Sequence, residues 1–485
     1  MINFRLINRI LGLLLCIEGG VLVATLGIAL YFGEPDWWTF GLPALVALLL
    51  GLLLLQMGRH AANRMCRRDG YLIVSFTWVL FSLVGMLPFL IGGHTDRVSI
   101  AFFETMSGFS TTGATAFADV DALPHSILFW RGLMHWLGGM GIVFFTLAVL
   151  PQMGSGEQKL FSAEATGLKL GKLHPRISTT AHWLWGLYLM LTVTCTTAYY
   201  VCGMTLFDAL CHAFSTVATG GFSTHTASFA YFQSPALEYV AVGFMFLASI
   251  NFALLYLLLV KRRFRQVRRD DEFRFFTGLV LGSAAYIAVV LMLTTDMPAE
   301  GAFRAALFNV VSLQSTTGFT TVDFTHWHPT VWMLLTVISC IGSCAGSTSG
   351  GIKCVRIITL IRLVRNEINY SLHPRAVLQL RVCNQPITYP VVRSIFVYLT
   401  LYVMLLMAGI VALLCMDITL VDAIGLCISS FSNIGPSFGE HIGPLEAWGN
   451  LPDGALWINS FLMLAGRLEV FSLLLPFFPK FWKSY

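Results

Sequence analysis

Four short stretches of this chain carry a glycine preceded by small and hydroxylated residues. They read Ser110-Thr111-Thr112-Gly113-Ala114, Val217-Ala218-Thr219-Gly220-Gly221, Ser315-Thr316-Thr317-Gly318-Phe319 and Ser432-Asn433-Ile434-Gly435-Pro436. Aligned on Gly113, Gly220, Gly318 and Gly435, the glycines lie 107, 98 and 117 residues apart, and Thr stands immediately before three of them. A dehydrated cation needs oxygen ligands in place of its water, and a ring of backbone carbonyls provides them. Turning carbonyls toward a common axis takes unusual φ values, which glycine adopts at little steric cost. The pattern predicts four loops converging on one axis around a monovalent cation. A single Thr-Thr-Gly carries little weight, because small residues also pack membrane helices. Four at comparable spacing are hard to obtain from packing alone.

Two further features belong to the same path. Gly342-Ser343-Cys344-Ala345-Gly346-Ser347-Thr348-Ser349-Gly350-Gly351 interrupts an otherwise spanning segment. Non-helical backbone at membrane depth is tolerated where it is buried in protein or lines a wet cavity, so this stretch is expected to form a gate loop below the four glycine loops. Arg467 falls near the middle of the last apolar run. A central arginine costs about 2.5–3.5 kcal/mol on insertion scales, and is expected to project toward the pore. A structural pair with Glu469 or with another helix's carbonyls is the alternative, although residues two apart, such as Arg467 and Glu469, do not face each other on a regular helix. Gly346 to Lys353 imitates a phosphate-binding loop, yet Ile352 separates Gly351 from Lys353 and no strand precedes it. Ser349 has no nearby His to make it a nucleophile.

These loops need elements to position them. Semi-apolar stretches near 99–117, 207–224, 303–321 and 422–439 are too short and too polar to span, and each fits a re-entrant helix with a return loop. Asp208 and Asp422 fall at the expected helix starts, a favourable capping position, and aim the negative helix ends at the pore. Glu104 is expected to structure its own pore helix. Around these stretches run apolar segments at roughly 10–32, 38–57, 72–92, 128–150, 182–203, 236–260, 276–296, 331–361, 394–415 and 455–479. With 56% hydrophobic and 11% charged residues over 485 positions, the composition excludes a soluble fold. Basic loops (Arg59 to Arg68, Lys159 to Arg176, Lys261 to Arg274, Arg362 to Arg393, and Lys480 with Lys483) alternate with acidic ones, Arg97 being an exception. Ten spans then place both termini in the cytoplasm. The N-terminal run has no clear cleavage site and reads as a retained span. The net charge of +5 is read as topology, with no nucleic-acid partner. The eleven cysteines form no CxxC pair, and His326 and His328 lack metal-ligand company.

The architecture expected is an all-α polytopic membrane protein. Residues 1–70 form a two-span extension, followed by span, pore loop, span repeats at 71–180, 181–275, 276–393 (its second span broken) and 394–485, arranged pseudo-four-fold around one pore. His135-Trp136-Leu137-Gly138-Gly139-Met140-Gly141, Ala218-Thr219-Gly220-Gly221-Phe222-Ser223 and Gly466-Arg467-Leu468-Glu469 resemble signatures of the TrkH/KtrB family of potassium transporters. The two extra N-terminal spans resemble its bacterial TrkH branch. The resemblance covers about residues 70–480. It implies potassium as the transported ion, no bound cofactor, a homodimer with a pore in each subunit, and a cytosolic ring of nucleotide-binding TrkA-like regulators at the inner membrane. It also implies a filter of Thr111, Thr112, Gly113, Ala218, Thr219, Gly220, Thr316, Thr317, Gly318, Asn433, Ile434 and Gly435. The fourth loop departs from the others at Ile434-Gly435-Pro436.

Two other readings compete. Proton- or sodium-coupled symport would need an intramembrane relay, for which Glu104, Asp208, His135 and His212 are the candidates. A membrane-embedded hydrolase would need a nucleophile and base together, and no convincing set is present.

Overall fold

The computed structural model describes residues 2–62, 66–139, 141, 177–375, 379–383 and 385–483. The second half of the expected 128–150 span and the basic residues Lys159, Lys169, Lys172 and Arg176 lie outside these. The chain starts with two long helices, α1 (Phe4–Tyr31) and α2 (Trp38–Met57), packed on each other as a hairpin. The side chain of Asn3 caps α1 by accepting the Leu6 N–H. Asp69, in the first turn of the next helix, accepts the N–H groups of both Asn3 and Cys66, at 2.9 and 2.8 Å.

Next come α3 (Arg67–Gly85), the short α4 (Val98–Phe109) and α5 (His125–Gly139), then α6 (Ile177–Val201), the short α7 (Leu206–Ala218) and the pair α8 (Pro235–Ser249) and α9 (Phe252–Leu259). The third set is α10 (Asp271–Thr294), α11 (Ala299–Gln314), α12 (Pro329–Ile341) and α13 (Cys354–Leu372). The last is α14 (Tyr389–Leu414), α15 (Leu420–Ser432) and α16 (Asp453–Arg467). Arg381–Val382 and Gln385–Pro386 form a minimal antiparallel pair near the start of α14. The fold is all-α and polytopic.

The short helices α4, α7, α11 and α15 have 12 to 16 residues. At 1.5 Å per residue that is about 18–24 Å, less than the about 30 Å of a bilayer core. Thr205 and Thr419 cap α7 and α15, each accepting the N–H of the Asp three residues on. The expected capping role of Asp208 and Asp422 therefore shifts by one function. They sit in the first turn, and their carboxylates reach the return loops through Thr224 (2.7 Å) and His441 N–H (2.9 Å).

The expected spans at 236–260 and 455–479 are corrected from straight to bent, while the break expected within 331–361 is present. Among the described residues six helices are long and apolar enough to cross alone, and two more spans are bent pairs. Residues 236–260 fold as α8 and α9, bent by 111°. Residues 455–479 fold as α16 and a short continuation, bent by 115°. The bends escape a hydropathy reading because the few polar residues at them, Asn251, Arg467 and Glu469, are outweighed by the apolar residues on either side. Residues 331–361 divide into α12 and α13 with the 342–351 loop between. The long helices keep an apolar outer face: Val193, Leu281 and Met404 are exposed, as a hydrocarbon solvent requires.

Charged groups are engaged at both ends of the molecule. Asn3, Ala62 and Asp69 cluster with the C-terminal Lys483, whose carbonyl takes a bond from Arg68. At the opposite, distal end Arg97 meets Asp453 at 2.5 Å and donates to the Gly449 and Leu451 carbonyls. That engagement accounts for a cation outside the basic loops.

Candidate functional site: four loops and the segment beneath them

Each short helix ends the same way. The N–H groups of Thr112, Gly220, Thr317 and Ile434 bond back to the carbonyls of Ser107, Ser215, Ser312 and Ser429 at 2.8 to 2.9 Å. The preceding residue is left-handed in every loop: Thr111, Thr219, Thr316 and Asn433 have φ of 54 to 56°. The following residue is a glycine with φ of 80 to 101°: Gly113, Gly221, Gly318 and Gly435. The equivalent residues are therefore Thr111-Thr112-Gly113, Thr219-Gly220-Gly221, Thr316-Thr317-Gly318 and Asn433-Ile434-Gly435.

This corrects the second loop by one residue. Gly221, not Gly220, matches Gly113, and Ala218 takes the place of Ser110, Ser315 and Ser432. A signal for the right register was present, since a serine stands six residues before the glycine in all four loops only when Gly221 is used.

The four loops meet. A β-carbon on Gly113 would overlap the Gly220 carbonyl, one on Gly221 the Thr317 carbonyl, one on Gly318 the Ile434 carbonyl, and one on Gly435 the Thr112 carbonyl. Each glycine thus receives the carbonyl of the next loop, and the fourth returns to the first. The backbone is four-fold, but the side chains are not. The hydroxyls of Thr112 and Thr317 bond to Ser110 and Ser315, both at 2.7 Å, whereas the matching positions are Gly220 and Ile434.

The 342–351 segment lies against the residues that lead into the glycines of the second, third and fourth loops. The Gly350 N–H donates to the Thr316 hydroxyl at 2.7 Å, and the Thr348 hydroxyl donates to the Val217 carbonyl at 3.1 Å. A β-carbon on Gly350 would overlap the Ser432 carbonyl. The segment is an excursion between α12 and α13. Ile352 and Lys353 N–H bond to the Cys340 and Ile341 carbonyls at 3.0 and 2.9 Å, closing the loop at its root. Gly342, Gly346 and Gly351 supply its positive φ values. Ser347 and Ser343 surround the Ser349 hydroxyl.

Arg467 ends α16 instead of standing mid-span, and it grips the loop. Its guanidinium donates to the Thr348 carbonyl at 2.8 Å and to the Gly138 carbonyl at 2.7 Å. Glu469 does not pair with it. That carboxylate takes Arg356 at 2.7 Å. Sequence reasoning missed Lys353, whose ammonium donates to the Ser349 carbonyl and, at 3.1 Å, to the Ser349 hydroxyl. A buried cation, Lys353, and a half-buried one, Arg467, thus hold consecutive residues of the loop.

A match to the family model described as a cation transport protein covers residues 44–484. The Trk system potassium uptake protein TrkH of Halomonas elongata is 37% identical over 99% of this chain and 100% of its own length. TrkH of Escherichia coli is 36% identical with the same coverage. The crystal structure of the potassium transporter TrkH from Vibrio parahaemolyticus superposes with a TM-score of 0.90 at 35% identity, over 99% of this chain and 100% of that one. The chain belongs to the TrkH family. Its members are transporters of cations, not enzymes.

In this TrkH-family chain the return strands of the first two loops are also held, by residues nine positions before Gly113 and Gly221. Glu104 accepts the Ala116 N–H at 2.8 Å and the Thr115 hydroxyl at 3.0 Å. His212 bonds Ser223 at 2.9 Å. Arg131, unmarked by any motif, pairs with Glu104 at 2.8 Å and donates to the Ser223 carbonyl at 3.0 Å. Its guanidinium lies 4.1 Å from the Phe222 ring centre, within cation–π range. His135 stacks on Phe222 at 4.2 Å and bonds Ser215. The four relay candidates are therefore all engaged in holding the chain around the loops.

At the distal surface His225 bridges two return loops. It lies 2.7 Å from Asp121 and 3.7 Å from Asp208, stacked on Tyr231 at 3.5 Å. Burial opposes charging of this imidazole, but the bonds and charges of Asp208 and Asp121 outweigh it and raise its pKa above the usual value. Partial burial opposes charge on Asp121 too, yet bonds from His225 and Thr226 hold its carboxyl below the ordinary range.

Proposed function

We propose that the chain carries potassium ions into the cell across the bacterial inner membrane, through a channel-like pore whose selectivity filter is the ring of four loops. The observation that carries this reading is the closed cycle in which each glycine receives the carbonyl of the next loop. Such a cycle can only form if the loops surround one axis, and it sets carbonyl oxygens where a cation would shed its water. The filter residues are Thr111, Thr112, Gly113, Thr219, Gly220, Gly221, Thr316, Thr317, Gly318, Asn433, Ile434 and Gly435, with Ala218 leading into the second loop. The relatives named potassium uptake proteins support potassium as the substrate.

In the same reading the 342–351 loop, from Gly342 through Ala345, Gly346, Ser347, Thr348, Ser349 and Gly350 to Gly351, is the gate. Arg467 holds it under the filter and adds a positive charge to the ion's path. The alternation of basic and acidic loops adds cytoplasmic termini, and the resemblance to the family adds a homodimer and control by a cytosolic nucleotide-binding ring.

Flux of K⁺, Rb⁺ and Na⁺ into proteoliposomes, with and without an imposed voltage, tests the reading. Potassium and rubidium should pass, sodium should lag, and flux should follow voltage with no second ion. Flux that needs a proton or sodium gradient would select coupled symport instead. Arg467→Ala should raise basal Rb⁺ flux about tenfold, equal to about 1.4 kcal/mol off the barrier. An unchanged rate in folded protein would return Arg467 to a structural role.

A further inference from the structure

Breaking a spanning helix leaves backbone groups that must find partners away from water. The N–H groups at the start of α13 and inside the 342–351 loop are such groups. One side chain from a different helix serves two of them. Glu272 lies in the first turn of α10 and is 3% exposed. Its Oε1 atom accepts the Ala345 N–H at 2.7 Å and the Val355 N–H at 3.0 Å. Ala345 is inside the loop and Val355 is just beyond its far end, so a single oxygen ties the excursion to the helix that follows it.

The Ala345 residue is held on its other side as well. Its carbonyl accepts from Asn251 Nδ2 at 2.6 Å, and the Gly346 carbonyl accepts the Phe252 N–H at 3.0 Å. Asn251 sits at the 111° bend between α8 and α9. The loop thus has a root, fixed by Glu272 and Asn251, and a tip, Thr348 to Gly350, that touches the glycine loops. Glu272 is itself oriented: the Asp270 side chain accepts the Glu272 N–H at 3.0 Å and fixes the start of α10. A carboxylate facing the start of α13 is also favoured by the positive end of that helix.

We propose that Glu272 is a positioning residue for the gate: its carboxylate clamps the root of the 342–351 loop, and releasing that clamp frees the tip from beneath the ring. The inference rests on the gate reading above and names the contact that opposes opening. A residue that served only to cap α13 would lower stability when removed, without changing the leak of molecules that remain folded.

The test is basal Rb⁺ flux of the full chain in proteoliposomes, normalised to folded protein by gel filtration. Glu272→Ala loses both bonds and should raise flux roughly tenfold. Glu272→Gln keeps an oxygen acceptor and should recover at least about half of that difference on a logarithmic scale. Val355→Pro removes one donor at a first-turn position that tolerates proline, and should give an intermediate rise even where Glu272→Ala does not fold. Rubidium preference over sodium should hold in all three, because the glycine loops are untouched. Deletion of 345–350 is the control. If the deletion raises flux but Glu272→Ala and Val355→Pro do not, the clamp is overturned and the gate stands. If none of them raises flux, both are overturned.

Discussion

Gly221 has a φ of +87° and faces the Thr317 carbonyl. Both facts forbid a side chain: the first strains an L-residue, the second displaces an oxygen of the ring. Gly203 offers the strain without the neighbour, with φ of +107° and nothing within 4 Å. Gly221→Ala should therefore lower Rb⁺ flux by at least about tenfold, while Gly203→Ala should cost about 1 kcal/mol of stability and leave flux unaltered. Equal effects on flux would undo the match of Gly221 to Gly113 in the second loop. His225 supports a prediction in pH. Its raised pKa means that its contribution to stability is full below the usual 6.5 and is lost as pH rises through the higher folded value. The lowered pKa of Asp121 works in the other direction. Its contribution is present above 3.8 and is lost as pH falls through the lower folded value. Between these limits the bridge is intact. Thermal unfolding followed from about pH 3 to about pH 9 should show the native chain losing an alkaline increment that His225→Gln lacks; superimposable alkaline limbs would count against the bridge.

At the scale of elements, Arg131 joins α5 to α4 through Glu104 and to the second return strand through Ser223. The pair is almost fully buried, 2% and 0% exposed. Removing one partner of a buried pair costs about 3–5 kcal/mol, because a charge is left without compensation. Arg131→Leu should cost that much, and Glu104→Leu in the same molecule should restore part of it in a chemical denaturation series. Strict additivity would mean that the two side chains do not act together. This pair was not legible in the sequence. Its members are 27 positions apart, and only tertiary packing brings them together. The glycine loops were legible because positive φ restricts the residue type, and the same restriction revealed the break at 342–351. The Gly220-Gly221 doublet blurred the register, since two adjacent residues could meet the demand. The bend after α16 left no such mark. Glu469 and Val470 carry φ of 54 and 62°, and a β-branched residue adopts that region only when its surroundings impose it. Arg467 was found from its cost in an apolar run, but its place at a helix end followed from the hidden bend.

Across the whole molecule, apolar side chains such as Val193, Leu281 and Met404 are exposed, and buried polar groups gather in the glycine loops and the 342–351 segment. Composition sufficed to predict the exposed apolar side chains, since a bilayer admits few alternatives. What composition could not supply is the count of unbroken spans, because a run of apolar residues reads alike whether the helix continues or turns. The ring of loops is drawn from one polypeptide, as Thr112, Gly220, Thr317 and Ile434 each lie against a glycine of a neighbouring loop. A conducting unit assembled from four separate chains would dissociate by mass action as copies become scarce. Covalent continuity removes that equilibrium. Ion flux per molecule should then be the same in vesicles loaded sparsely, with most holding no copy, as in vesicles loaded densely, and a fall at sparse loading would mean that one chain is not a sufficient conductor. The four quadrants, each with its own stretch of coding sequence, are also free to diverge one at a time, a freedom that a ring of identical subunits does not have.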